Sequence, residues 1–477
     1  AVSRGNEYSL YMEPVTINAG ETTVVEAQIV RVLETPGFIS SDYHVHLIVS
    51  PESRISARNR VLSMAGEGVE NIVATDHSVV TDLTPTIAAL GLETFVSSTP
   101  GEEITTQDSG HYNAYPQGLD PASPQTRGST DWAGPADPGE DFPSLGSYIL
   151  SPVEIEALAL GDPQNAGLET VVQINHIGSH FSPLKIDTSL LPPSSLLSAE
   201  EALAMRMDPG VAEFFHPFQA LEVWNGSSIG HQNEFLDDRI GIWMNLLNQG
   251  MVATAITDTD THKFHNLRSG GGRTWTPSSS DDPAGILDAE IGLAVKAGKA
   301  VGGQGIFVLS RLVADSTGET SGLELGDPMI VVNRPEGSLD LRPGVRTTDG
   351  AVHLDIEIQA PAWAPYDTVE IYTNSATTVA GTNDGVPVAF GAVPDMTLTL
   401  GAGDFTIDTV DVSPDPSNPI PGATRLETHK RISFSGPSAL TADTWIVVLA
   451  KGTAGVSAPM FPLHASGLDL GENPDLA

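Results

Sequence analysis

Between about residues 37 and 330 the chain repeats one pattern, a short apolar run followed by a helical stretch and then another apolar run. The runs "VENIVATDH", "ETFVSSTPGEEITT", "TVVQINH", "FQALEVWNG" and "MVATAITDTDTH" have the length and content of buried strands. Helical stretches fall between them near 84–91, 198–207, 231–249 and 286–298. Strands that alternate with helices pair in parallel, so this region is expected to fold as an α/β barrel or sheet. Its first helix, in "SPESRISARNRVLSMAGEG", is expected to open at Ser50 as N-cap with Pro51 in the first turn, and to close at Gly66 or Gly68.

Both flanks have a different rhythm. Residues 1–36 read as an N-terminal β segment, in which "TTVVEAQIVRVLE" partly alternates. From about residue 335, "GAVHLDIEIQA", "DTVEIYTN", "KRISFSG" and "DTWIVVLAKG" alternate between Pro, Gly, Asp and Thr turns, which predicts an antiparallel β-sandwich. Three units follow: 1–36, a barrel over 37–334, and an accessory sandwich over 335–477. The Pro- and Gly-rich stretch 110–148 is too long for an ordinary connection and reads as a functional loop or lid.

Cysteine is absent, which removes disulfides, thiolate metal sites and a thiol nucleophile together. Asp and Glu number 61 against 22 Lys and Arg, a formal charge of −39. Binding to nucleic acid or anionic membranes rests on Lys and Arg replacing counterions, so the charge predicts no nucleic-acid partner. No stretch approaches the roughly 18 apolar residues of a membrane span. The opening "AVSRGNEYSLYMEP" has no apolar signal region. Acidic charge, missing cysteine and a sandwich accessory together suggest a secreted or periplasmic protein whose signal is not in this sequence.

Chemistry enters through where the histidines fall. Ten of the thirteen lie between His44 and His265. In "DYHVH", His44 and His46 are two apart, so on a strand both imidazoles face one side. Asp76 and His77 end "NIVATDH", Glu103 follows the strand "TFVSS", His111 stands in "GHYNAYP", His176 ends "VVQINH", and Asp260 and His262 end "ITDTDTH". In an α/β barrel the carboxyl ends of all strands converge on one face. Residues remote in sequence would therefore meet as nitrogen and oxygen donors suited to Zn, Mn or Fe(II). His180, His216, His231 and His265 lack a strand-end position and read as peripheral, while His353, His429 and His464 fall in the β region.

Two metal-barrel plans open with His-x-His. The amidohydrolase plan bridges its metals with a carboxylated lysine, but this chain has no lysine before Lys185. The ordered run His-x-His, Thr-Asp-His, Gly-x-Glu, Gly-His, Asn-His, Asp-x-His resembles the PHP (polymerase and histidinol phosphatase) superfamily. Within it, "DYHVH…SPES", "GEEITT…GHYNAYP" and "DTDTH" resemble the CehA/McbA-type metallohydrolases over about residues 40–310. The resemblance implies a distorted (β/α)7 barrel with two or three divalent ions. It implies His44, His46, Glu103 and Asp260 at the first ion. Glu103 then bridges to a second, completed by His111 and His176. A third would use His77, His262 and an acid soon after His-x-His, here Glu52, which could equally sit in a helix first turn and offset the macrodipole.

Metal ions lower the pKa of bound water from 15.7 toward ~7 and clamp an ester's oxygens, so no serine or cysteine nucleophile is required. Asp76 is expected to orient an imidazole. Arg273 in "SGGGRTWTP" could anchor an anionic substrate or serve as an ordinary loop arginine, and Tyr115 and Asn225 could line the pocket. The expected activity is a phosphoesterase on a small-molecule ester. Carbamate or carboxylic ester hydrolysis is one alternative, and a non-enzymatic glycan- or surface-binding protein on a metal-stabilised scaffold is another. Oligomeric state is not readable from the chain.

Overall fold

A computed structural model describes residues 1–106, 110–132, 152–177, 218–226, 232–248, 250–263, 269–334, 339–383 and 386–452. The first half is mixed α/β. In chain order, β1 is Phe38–Val45, α1 Ala57–Gly66, β2 Asn71–Ala74, α2 Thr84–Leu90, β3 Ser97–Pro100, β4 Glu102–Thr105 and β5 His111–Tyr115. Then follow α3 Pro152–Gly161, β6 Val171–Ile174, β7 Ala220–Asn225, α4 Gln232–Asn248, β8 Thr254–Asp258, β9 Arg273–Pro277, α5 Asp288–Lys296 and β10 Val301–Gly303.

These strands make two five-stranded sheets, β10-β9-β1-β2-β3 and β4-β5-β6-β7-β8. β1–β2, β2–β3, β6–β7 and β7–β8 run parallel, as the alternation with helices predicts. β5 runs antiparallel to both its neighbours, and β9 to β1 and β10, so the pairing is mixed. Among the described residues the strands form two sheets joined at isolated bridges, including Val45 to Thr261 and His77 to Glu103, rather than one continuous ladder. Ile39 and Tyr43 of β1, Val73, Tyr115, Val171, Ala220 and Ile256 nevertheless form one buried apolar cluster, so both sheets share one core. Val61 and Met64 of α1 cover β2 on the outer side, and Ile155, Ile242 and Leu246 of α3 and α4 cover β6 and β7. Strands covered on both faces read as near-continuous apolar runs, which is how they stand in the sequence.

Three expectations are corrected. α1 begins at Ala57 with Ser56, not Ser50, as its N-cap, its side chain accepting from Asn59 N. Residues 47–55 are a loop, and Ser50 turns inward. The N-terminal segment forms isolated bridges, Val2 to Tyr11 and Tyr8 to Arg31, rather than strands, and Val24 is exposed. A lone ribbon with few apolar contacts gains too little burial to order as a sheet. The antiparallel region also starts earlier than residue 335: strand 307–314 pairs along its length with strand 352–361.

That region contains a five-stranded sheet (320–322, 307–314, 352–361, 424–434, 408–411) and a three-stranded one (396–399, 368–373, 446–451). Val352, Leu354, Ile356 and Ile358 alternate inward from the first sheet and meet Val369 and Ile371 of the second around Phe405 and Phe434. This is sandwich packing. The lid expected over 110–148 starts with strand β5 and turns, and residues 133–148 lie outside the described residues, as does the helix expected near 198–207. No helix among the described residues is long and apolar enough to cross a membrane.

Candidate metal centre

β1 carries His44 and His46 to its carboxyl end with both rings on one side, centroids 5.0 Å apart. Their Nε2 atoms face each other at 3.0 Å. Into the same space come Asp260 Oδ1, 3.4 Å from His44 Nε2 and 3.2 Å from His46 Nε2, and Glu103, whose Oε1 is 3.4 Å from His44 and Oε2 3.5 Å from His46. Donors about 2.1 Å from one ion lie ~3.0 Å apart at right angles and ~3.4 Å apart at the tetrahedral angle. The observed separations run from 3.0 to 3.5 Å, close to this range. His44, His46 and Glu103 thus offer donors close enough together to hold one ion, and Asp260 Oδ1 lies against both imidazoles.

Two further groups adjoin it. Glu103 Oε1 lies 3.2 Å from His111 Nδ1 and 3.5 Å from His176 Nε2. On the other side Glu52 Oε1 touches His77 Nε2 and lies 2.9 Å from His262 Nε2, with the His46 ring stacked 4.0 Å from that of His262. With Ser50 displaced from the helix, Glu52 is in a turn rather than a helix first turn, so the macrodipole explanation for it lapses. The structure brings together every residue of the expected metal set: His44, His46, Glu52, His77, Glu103, His111, His176 and His262 in overlapping donor groups, with Asp260 against His44, His46 and His176. His176 Nδ1 is buried without a hydrogen-bond partner, and the buried Glu103 Oε2 meets only imidazoles, His77 Nδ1 at 2.7 Å and His46 Nε2 at 3.5 Å. The donor set and spacing fit divalent ions.

The surrounding residues fix these ligands. Ser50 Oγ donates to Asp76 Oδ1 at 2.6 Å and accepts from His46 Nδ1 at 2.9 Å, so Asp76 orients His46 through a serine. Asp76 also accepts from Leu47 N and Thr81 Oγ1. Glu222, which the sequence reading passed over, lies beneath His44: its Oε1 accepts from His44 Nδ1 at 3.0 Å and from Asn225 Nδ2 at 3.0 Å, and its other oxygen accepts from His176 N. Donating Nδ1–H to a carboxylate leaves the His44 Nε2 lone pair for a metal. Asn225 also donates to Asp260 Oδ2 at 3.1 Å, so it steadies a ligand. His176 and Asp260 hold left-handed backbone, φ 44° and 48°. Such strain costs of order 1–3 kcal/mol per residue and persists where surroundings over-determine it, commonly at functional sites.

The electrostatics demand positive charge. Burial opposes the His44 cation, yet Asp260 and Glu103 lift it well above the ordinary imidazole range. Burial, with His44 alongside, pushes His46 down to about 4. Burial likewise opposes charge on His77, but Glu103 and Glu52 raise it to about 9. Against their own burial, Glu103 and Asp260 are held well below the carboxylate range, chiefly by His44. Glu222 is drawn down to about 2 by His176 and His44 despite burial. Without cations, protons on imidazoles do the neutralising.

The structure does not bring Arg273 or Tyr115 to this cluster. Arg273 is fully buried on β9 and donates to the carbonyls of Glu67, Gly68 and Gly270 and to Glu7, so it anchors the N-terminal segment rather than an anion. Tyr115 sits in the shared core against Tyr43, its hydroxyl donating to Gln173. His180, His216, His231, His265 and His464 lie outside the described residues. Glu222 had a legible signal: a single acid inside the apolar strand "ALEVWN", where a buried charge requires a partner.

No protein-family model matches this sequence, and no curated protein matches it. Among solved structures, the chain is similar to a protein of Bifidobacterium adolescentis given the provisional name of metal-dependent phosphoesterase, at 16% identity and a TM-score of 0.25, over 48% of this chain and 89% of that one. It is also similar to Endonuclease Q, solved with a 27-mer duplex carrying an abasic lesion at its active site, at 11% identity and a TM-score of 0.29. That match spans 54% of this chain and 56% of Endonuclease Q. The expectation of no nucleic-acid partner is corrected here, because a net charge of −39 describes a whole surface and not the potential at one pocket.

Proposed function

We propose that the protein is a metal-dependent hydrolase of the PHP type, acting on phosphoesters. The observation that carries this is the pair His44 and His46 with Glu103 and Asp260 each 3.2–3.5 Å from their Nε2 atoms, Glu103 also facing His111 and His176. Imidazole and carboxylate donors suit Zn, Mn or Fe(II), and the two sheets are read as halves of a distorted seven-stranded barrel. Divalent ions at such a site lower the pKa of water toward ~7 and offset charge developing on the ester oxygens.

The chain's own residues supply the rest. Glu222 and the Ser50–Asp76 pair hold His44 and His46 in the tautomer that presents Nε2. Glu103 belongs to two donor groups and would be the residue shared by neighbouring ions, whose chemistry would be to clamp one phosphoryl group. Four carboxylates, Glu52, Glu103, Glu222 and Asp260, touch these imidazoles, and bound divalent ions would balance their charge. The run of motifs places the chain, in our reading, nearest the CehA/McbA-type, for which an aryl carbamate is the second substrate class. The test is hydrolysis of bis-p-nitrophenyl phosphate, p-nitrophenyl phosphate, an abasic-site DNA duplex and an aryl carbamate by metal-loaded protein and by Glu103→Gln. Phosphoester turnover that is lost in Glu103→Gln supports the proposal. Turnover of the carbamate alone, or of none, overturns it.

A further inference from the structure

Arg60 of α1 is fully buried, yet it hydrogen-bonds to no carboxylate, and Asp42 and Asp76 act on it only through their charge. Its guanidinium makes five hydrogen bonds, all to neutral acceptors. Nε and Nη2 donate to His46 O at 3.1 and 3.0 Å, and Nη2 also to Thr261 O at 2.9 Å. Nη1 donates to Thr261 Oγ1 at 3.2 Å and Ser269 Oγ at 3.1 Å. The other buried arginines among the described residues each pair with an acid: Arg273 with Glu7, Arg334 and Arg342 with Asp340, Arg425 with Glu34 and Glu427. Burial pushes Arg60 down to about 10 against the opposing charges of Asp42 and Asp76.

The acceptors identify what the cost secures. His46 O belongs to a ligand residue at the end of β1, and Thr261 stands between the ligand residues Asp260 and His262. These two segments are where the sheets meet, joined directly by His46 N donating to Thr261 O at 3.1 Å and by the Val45–Thr261 bridge. A planar fork reaches both carbonyls and both hydroxyls at once, whereas an ammonium has neither the span nor the geometry. His46 Nε2 and Asp260 Oδ1, 3.2 Å apart, are set on the two segments it spans.

We propose that Arg60 is a positioning residue of the metal centre: it clamps the His46 and Asp260–His262 segments together across the sheet seam and so fixes the separation of donors from β1 and from the segment after β8. The inference rests on the metal-centre reading above and concerns residues outside the ligand set. The cation itself repels metal ions, so any benefit to metal binding comes through geometry.

The test is Mn2+ titration followed by electron paramagnetic resonance of free Mn2+, on full-length wild type, Arg60→Lys and Arg273→Lys, with thermal unfolding of each metal-free protein. Arg273→Lys is the control, since Arg273 is equally buried and also tethers backbone carbonyls but touches no ligand segment. Both variants are expected to unfold at lower temperature. Only Arg60→Lys is expected to weaken Mn2+ binding tenfold or more, with Arg273→Lys within twofold of wild type. Equal Mn2+ affinity in wild type and Arg60→Lys overturns the inference alone. Wild type that binds no Mn2+ overturns the metal reading and the inference with it. Should Arg60→Lys fail to fold, Ser269→Ala removes one acceptor of Arg60: a threefold or larger loss of affinity supports the clamp, and unchanged affinity overturns it.

Discussion

Replacing Glu222 by Gln isolates the contribution of the carboxylate under His44. Glu222 Oε1 accepts from His44 Nδ1 and Asn225 Nδ2, and its second oxygen accepts from His176 N. Glutamine has one acceptor and one donor group at the same positions. With its oxygen toward His44, the amide NH2 confronts the His176 N–H; turned over, it confronts His44 Nδ1 and Asn225. Each orientation leaves a buried donor opposed by a donor, a cost of about 1–3 kcal/mol. Turned over, it also favours the His44 tautomer with the proton on Nε2, where the metal lone pair is needed. Loss of an orienting carboxylate typically weakens metal binding 10–100-fold, or ~1.4–2.8 kcal/mol. Competitive titration against a fluorescent chelator reads this directly, with circular dichroism confirming that the fold is kept. A dissociation constant within twofold of wild type would refute the orienting role.

Other perturbations follow from the same contacts. Stripping metal with EDTA should lower the unfolding temperature, because free metal at 100 times its Kd adds about 2.7 kcal/mol to stability; coincident melting curves would count against resident ions. Ser50→Ala leaves His46 Nδ1 and one Asp76 oxygen without their shared partner, so metal affinity should fall about tenfold by titration, while a helix-cap role would alter only helix content. Gly101→Ala should destabilise the protein in chemical denaturation, since a Cβ there lies 2.9 Å from Ala114 O and 3.2 Å from Tyr115 Cβ at the break between β3 and β4 that delivers Glu103.

Much of this centre could be read from the chain because many of its residues stand at strand ends, whereas Glu103 and His111 open strands and Glu52 lies in a turn. His44, His46, His77, His176 and Asp260 all stand where an apolar run stops, and strand ends on one face need no knowledge of side-chain packing to be grouped. The supporting residues were less visible. Ser50 looked like a helix cap from its neighbour Pro51, but Ser56 sits at the real start, and only the fold shows Ser50 between His46 and Asp76. Glu222 and Arg60 are single charges inside apolar elements, and their partners lie 178 and 201 positions away, at His44 and Thr261. Arg273 misled in the opposite direction: a glycine-rich flank suggested a substrate loop, whereas those glycines admit close packing against Glu67 and Asp258. The antiparallel turn of β5 was hidden because apolar content in "HYNAY" carries no strand direction.

The most direct measurement is anomalous diffraction at the metal edge from crystals grown with Mn2+ or Zn2+. A peak bounded by His44 Nε2, His46 Nε2, Glu103 and Asp260 at ~2.0–2.2 Å from each donor, with a neighbour shared through Glu103, is the expected result. Protein that carries its anomalous peaks elsewhere, with none inside this cage, would contradict the account.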